Sequence, residues 1–159
     1  MKKMRIAYGQ SIHGRNEIKA VNTVLKTSTQ MGNNVFKFEK KVSKLFNKKY
    51  GLMVNSGTSA LFLALESIDL PRYSEVITPV LTFSTTISSI VKNNLIPVFI
   101  DVKKNTYCID ESKIEKMISK NTKVISVPNL IGNIPNWQAI YKIAKKYKLI
   151  IIEDSADTL

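Results

Sequence analysis

The sequence predicts an α/β fold built on a mainly parallel sheet with helices on both faces. Two patterns carry that expectation. Short apolar runs alternate along the chain with stretches of helical periodicity. The runs are apolar on both faces, which suits strands buried from two sides rather than one. A third pattern says where function should lie: glycine, hydroxyl and acidic residues follow the ends of the runs, where open parallel sheets bind ligands.

Taken in order, the first helix has Asn16 as a candidate N-cap and an apolar stripe of Ile18, Val21, Val24 and Leu25. Gly32 breaks the chain, and Val35, Phe38, Val42, Leu45 and Phe46 mark a second amphipathic helix. Leu52, Met53 and Val54 read as a strand, and 58–68 as a helix rich in alanine and leucine. Val76 and Ile77 form a strand ended by Thr78-Pro79, followed by a helix over 82–91. A strand over 96–100 contains Pro97, which suggests a strand start or an irregular position. A helix over 112–119, a strand over 124–127, a helix over 137–147 and a continuous buried strand over 149–152 complete the series. The chain stops at Leu159, directly after a strand end and without a covering helix. It therefore reads as the N-terminal part of a longer domain.

Composition narrows the chemistry. The only cysteine is Cys108 and the only histidine His13, so neither an internal disulfide nor a Cys/His metal cluster is expected. Residues 1–5 carry charge as a signal peptide does, but Gly9-Gln10-Ser11 interrupts before an apolar run forms, and no stretch is long enough to span a membrane. The expected location is the cytoplasm. The net charge of +12 is almost all lysine, spread over helix faces such as Lys113, Lys116 and Lys120 or Lys142, Lys145 and Lys146. Nucleic-acid sites cluster arginine with aromatics instead. The charge reads as a solvated surface, although a basic binding module remains the non-enzymatic alternative.

Three strand ends carry candidate chemistry. Asn55-Ser56-Gly57-Thr58-Ser59-Ala60 offers a turn at Gly57 and free N–H groups at a helix start, an anion site; the simpler reading is a cap by Ser56 or Thr58. The loop lacks the lysine and glycine spacing of a Walker motif. Phe83, in Thr82-Phe83-Ser84-Thr85-Thr86, is a core residue or a ring stacked on a planar ligand. Glu153-Asp154-Ser155-Ala156-Asp157 puts carboxylates at the sheet's edge; the simpler reading is a pair of solvated acids capping a turn, and no His or further acids at ligand spacing complete a metal site. Phosphate donors, a stacking ring and an acid for a ring nitrogen together form the inventory of a pyridoxal-phosphate pocket. The acid there keeps the pyridine protonated as an electron sink.

Six segments occur in the order and spacing of a known family. They are Phe38-Glu39, Asn55-Ser56-Gly57-Thr58-Ser59-Ala60-Leu61, Glu75-Val76-Ile77-Thr78-Pro79, Thr82-Phe83, Pro97-Val98-Phe99-Ile100-Asp101-Val102 and Ile152-Glu153-Asp154-Ser155-Ala156. From Tyr8 onward the chain resembles the DegT/DnrJ/EryC1/StrS family, sugar aminotransferases and related dehydratases of the aspartate-aminotransferase-like fold type I. The resemblance implies a chain divided into an N-terminal arm and helix, 1–34, and the N-terminal part of a large cofactor domain, 35–159. It implies pyridoxal 5'-phosphate or pyridoxamine 5'-phosphate, with Gly57 and Thr58 on the phosphate, Phe83 on the ring and Asp154 on its nitrogen. Ser56 and Asp157 would support these contacts. The catalytic Schiff-base lysine, or the histidine that replaces it in one branch, is expected beyond Leu159. A homodimer is implied, as is a nucleotide-linked 4-keto-6-deoxy sugar substrate with an amino donor such as glutamate, for lipopolysaccharide or other surface polysaccharides.

Two departures bear on the reaction. Asp157 stands where family aminotransferases usually carry glutamine, and Asn129-Leu130-Ile131-Gly132-Asn133 where they often show a His and a Tyr-Gly pair. Both features resemble the branch that removes the 3-hydroxyl of CDP-4-keto-6-deoxyglucose. Transamination and 3-dehydration both stand as expected reactions.

Overall fold

The computed structural model describes residues 10–30 and 32–158. The charged start at 1–5, Tyr8, Gly9 and Leu159, which entered the readings above, lie outside these residues. The chain forms two compact units, Met1–Met53 and Val54–Leu159.

The first unit holds helices α1 (Arg15–Thr27) and α2 (Asn33–Leu45). The N-cap of α1 is Gly14, not Asn16, and Glu17 folds back so that its Oε2 accepts the Gly14 N–H at 2.7 Å. The chain after α2 returns along that helix. A Cβ on Gly51 would lie 2.8 Å from the Glu39 carbonyl oxygen, so only glycine allows the approach. Glu39 Oε1 accepts the Met53 N–H at 2.7 Å. The strand expected at 52–54 does not form: a strand exists through its pairing, and this segment has no ladder partner among the described residues.

The second unit opens with α3 (Gly57–Glu66) and continues β1 (Glu75–Pro79), α4 (Ser84–Lys92), β2 (Ile96–Ile100), α5 (Ile114–Met117), β3 (Thr122–Pro128), α6 (Trp137–Tyr147) and β4 (Ile150–Asp154). The four strands are all parallel, in the order β2-β1-β3-β4. Their side chains alternate between two cores. Ile77, Ile100, Ile125 and Val127 pack with Ile109, Ile114, Ile140 and Ile143 on one face. Val76 and Val124 pack with Leu65, Ile90 and Leu95 on the other. The expected doubly covered parallel sheet is therefore present.

The distribution of helices follows from chain direction. The path runs from β1 outward to β2, then reverses across β1 to β3 and on to β4. Crossovers of one hand place their helices on opposite faces when the direction reverses. The α4 crossover accordingly shares a core with α3, while α5 and α6 share the other. The reversal also makes the gap between β1 and β3 a topological switch point, the usual place for a ligand crevice.

Three further expectations change. The helix over 112–119 shortens to a 3-10 turn, Glu111–Lys113, and the four-residue α5. Ser119 leaves the helix because its N–H donates to Thr122 Oγ1 at 2.9 Å, and both hydroxyls donate to Glu75 at the start of β1. Strand β4 is half-buried at best rather than fully buried, since it pairs on one side only among the described residues. The fourth helix starts at Ser84, leaving Thr82 and Phe83 in the loop after β1. Pro97 lies within β2, at the sheet's edge, where a missing N–H breaks no ladder bond.

Ile77 is fully buried on β1, which has neighbours on both sides. Ile77→Ala should lower stability by about 2–5 kcal/mol through lost transfer energy and the cavity left behind, read as a shift in the urea midpoint.

Candidate functional site

Prolines set the edge on which the site is built. Strands β1 and β3 end at Pro79 and Pro128, neither of which can donate to a ladder, so the chain peels away there into loops. Across that edge lie Thr82 and Phe83 after β1, Asn129 after β3 and Asp154 at the end of β4.

The anion donors come from the start of α3. Ser56 is the N-cap, and its Oγ accepts the Ser59 N–H at 3.1 Å. That satisfies the third N–H of the helix and leaves the first two free. Among the described residues the N–H groups of Gly57 and Thr58 and the Thr58 hydroxyl have no hydrogen-bond partner. The simple capping role thus belongs to Ser56, and Thr58 remains available. The chain turns from extended backbone at Ser56 into the helix at Gly57 without a positive φ, which among the described glycines only Gly132 has. The absent side chain of Gly57 keeps the helix start open. A Cβ there would meet nothing nearer than the Ala156 Cβ, at 4.0 Å.

Phe83 precedes α4 in extended backbone, and its carbonyl accepts the Thr86 N–H at 3.0 Å. The ring is 68% exposed, so Phe83 is not a core residue. Thr82 Oγ1 donates to Thr86 Oγ1 at 2.9 Å and ties the loop to the helix. Phe83 follows a strand two places from β4, a separation of about 10 Å across a sheet.

Asp154 closes β4 opposite Pro128. Its Oδ1 accepts the Ala156 N–H at 3.1 Å, and its other carboxylate oxygen has no partner among the described residues. The backbone around it is held by Asn129, which is only 3% exposed. The Asn129 N–H donates to the Asp154 carbonyl at 2.9 Å. Its side-chain Nδ2 lies 2.8 Å from Glu153 Oε1, 3.1 Å from Ser155 Oγ and 3.3 Å from Thr158 Oγ1. Its Oδ1 accepts the Trp137 Nε1–H at 3.0 Å, which fixes which way the amide points.

The structure therefore brings Gly57 beside the segment that follows Asp154, and sets Phe83 at the same edge of the sheet. Asp157 turns to the loop after β3, where its Oδ2 accepts the Ile131 N–H at 2.8 Å. Ile131 has φ 49 and ψ 30, a left-handed conformation that costs a β-branched residue on the order of 1–3 kcal/mol. The residues present fit a phosphorylated aromatic cofactor: free helix-start donors for an anion, an exposed ring to stack, and a carboxylate oxygen unused by the protein. Asn129 was the residue hardest to foresee. Its one local signal is an asparagine placed directly after a buried strand.

A doubly wound parallel sheet with donors, an aromatic ring and an acid at its carboxyl edge has the α/β architecture in which open sheets bind ligands. The chain belongs to the DegT/DnrJ/EryC1/StrS aminotransferase family, whose pattern matches residues 11–159. It is 38% identical to dTDP-3-amino-3,6-dideoxy-alpha-D-galactopyranose transaminase of Aneurinibacillus thermoaerophilus over 87% of this chain and 38% of the relative. It is 30% identical to GDP-4-keto-6-deoxy-D-mannose 3-dehydratase of Yersinia pseudotuberculosis over the whole chain and 43% of that relative. A crystal structure of GDP-4-keto-6-deoxymannose-3-dehydratase with a trapped PLP-glutamate geminal diamine superposes with a TM-score of 0.91 at 30% identity, covering 98% of this chain and 42% of the other. The chain spans about two fifths of the length of these relatives.

Relief of the strain at Ile131 is directly measurable. Ile131→Asn, a residue that tolerates left-handed backbone, should raise stability by about 0.5–1 kcal/mol in denaturant titration, because the replaced side chain is largely exposed.

Proposed function

We propose that this chain is the N-terminal part of a pyridoxal-phosphate-dependent aminotransferase acting on a nucleotide-linked 4-keto-6-deoxy sugar, with glutamate as amino donor. The observation that carries the reading is the closeness of Gly57, at the open start of α3, to Ala156 just after Asp154, inside a chain of this family. The relatives' names add the substrate class: a transaminase of a dTDP-linked amino sugar and a dehydratase of a GDP-linked keto sugar. Such enzymes supply surface polysaccharides such as lipopolysaccharide, and a homodimeric enzyme of the cytoplasm fits the reading. In domain terms, 1–34 is an arm and helix and 35–159 the first part of the cofactor domain.

In this reading the Gly57 and Thr58 N–H groups and the Thr58 hydroxyl bind the phosphate at the positive end of the α3 dipole. Ser56 keeps that helix end ordered by capping it. Phe83 covers one face of the ring and excludes water from it. The free oxygen of Asp154 accepts the ring N–H and holds the positive charge there. The bound cofactor supplies an electron sink for the carbanion formed on the substrate. The lysine or histidine that moves the proton is placed beyond Leu159.

A second reaction, removal of the substrate's 3-hydroxyl, is favoured by one observation: Asp157 faces the Ile131 N–H, with the 129–133 turn in place of the His and Tyr-Gly pair. Mass spectrometry of the sugar product from the full-length enzyme decides between them. Gain of an amino group supports transamination, and loss of the 3-hydroxyl supports dehydration. A purified protein with no bound cofactor and no affinity for added pyridoxal phosphate would favour a binding module instead.

Two variants test the residue roles in the full-length enzyme. Asp154→Asn should fold normally and lower kcat at least about tenfold, since a charge-assisted hydrogen bond is worth roughly 1.5–3 kcal/mol. Near-normal turnover would remove Asp154 from the ring nitrogen. Phe83→Ala should weaken cofactor binding by about 0.5–1.5 kcal/mol with little change in Tm. A fall in Tm with unchanged cofactor affinity would return Phe83 to a purely structural role.

A further inference from the structure

The two places where this sequence departs from the family's aminotransferase pattern touch each other. Asp157 accepts the Ile131 N–H, and Asn129, at the head of the same turn, reaches Glu153, Ser155 and Thr158. The turn between them is tight. The Gly132 N–H donates to the Asn129 carbonyl at 3.2 Å and the Asn133 N–H to the Leu130 carbonyl at 3.0 Å, across left-handed Ile131 and Gly132. The opposing turn is closed by the Thr158 N–H on the Ser155 carbonyl at 3.1 Å. The loops after β3 and β4 thus form one block, joined by a buried amide at one end and a carboxylate at the other.

Asp154 lies inside that block but contributes little to holding itself. Among the described residues its side chain makes one hydrogen bond, to the Ala156 N–H two residues on. The direction of its free oxygen is therefore set by the backbone of 153–156, and that backbone is held from outside. We propose that Asn129 and Asp157 act together as positioning residues for Asp154, locking the strained turn at Ile131 onto the carboxyl end of β4 and so aiming the Asp154 carboxylate. The proposal rests on the reading of Asp154 as partner of the cofactor's ring nitrogen. Asp157 then serves the site through the protein backbone and not by touching substrate.

Asn129→Ala would leave the Trp137 N–H without its acceptor in the interior and is expected to cost folding. The test therefore uses Asp157, whose side chain is exposed. In full-length protein freed of cofactor, amide hydrogen exchange is followed across 129–133 and 153–158, and the Kd for pyridoxal phosphate is measured separately. Asp157→Ala should speed exchange in both segments and weaken pyridoxal phosphate binding, each by about three- to tenfold, the factor of one hydrogen bond. Asp157→Asn keeps an acceptor oxygen and should stay within about twofold of the parent in both measurements. Unchanged exchange in Asp157→Ala overturns the proposal. So does faster exchange with unchanged Kd, which would make the block structural only. Equal damage from Asp157→Asn and Asp157→Ala overturns it too, because charge and not the Ile131 contact would then matter. Asp154→Asn keeps the two readings apart. Normal cofactor affinity and turnover in that variant, with exchange behaving as expected in Asp157→Ala, would sink the ring-nitrogen role and leave the clamp standing.

Discussion

The carboxyl edge of the sheet is organised by a single buried amide. Asn129 has two N–H hydrogens and one carbonyl oxygen on its side chain, and all are engaged, with partners on α6, on β4 and in the turn that follows it. A buried side chain of this kind is stabilising only when fully satisfied, because an orphaned amide in the interior costs about 1–3 kcal/mol. The arrangement is therefore all or nothing. It ties the relative placement of three elements to one residue, and Asp154 inherits its position from that tie.

Below the edge, the order of construction is simpler. Apolar side chains on both faces of β1 and β3 require helices above and below, and the reversal of chain direction across β1 delivers them. Prolines at the ends of β1 and β3 release the chain at a common level. The loops that leave there carry the candidate polar groups, and of these only the Asn129 amide is itself buried.

What the sequence made legible was mostly local. The stretch over 137–147 was placed at its observed limits, since its period and its flanking residues agree. The candidate residues Gly57, Thr58, Phe83 and Asp154 drew attention because each follows a short apolar run. Other features depend on distant partners and leave little local trace. Ser119 stops a helix by answering to Glu75, which lies 44 residues earlier. Asn129 gains its importance from Trp137, Glu153, Ser155 and Thr158, and alone it looks like any polar residue in a loop. Two motif residues that carry the family resemblance make structural contacts: Glu39 fastens the returning chain to α2, and Glu75 organises the approach to β3.

The placement of Pro97 gives the sheet unequal margins. On the β2 side the outward row of backbone donors is interrupted, which discourages another strand from lining up there. On the β4 side, among the described residues, the outward row over Ile150–Asp154 has no such interruption, and its apolar residues are half exposed. A strand seeking a partner would therefore add at one margin and not the other. Growth of this sheet, within the chain or between chains, has a direction built into it by one proline.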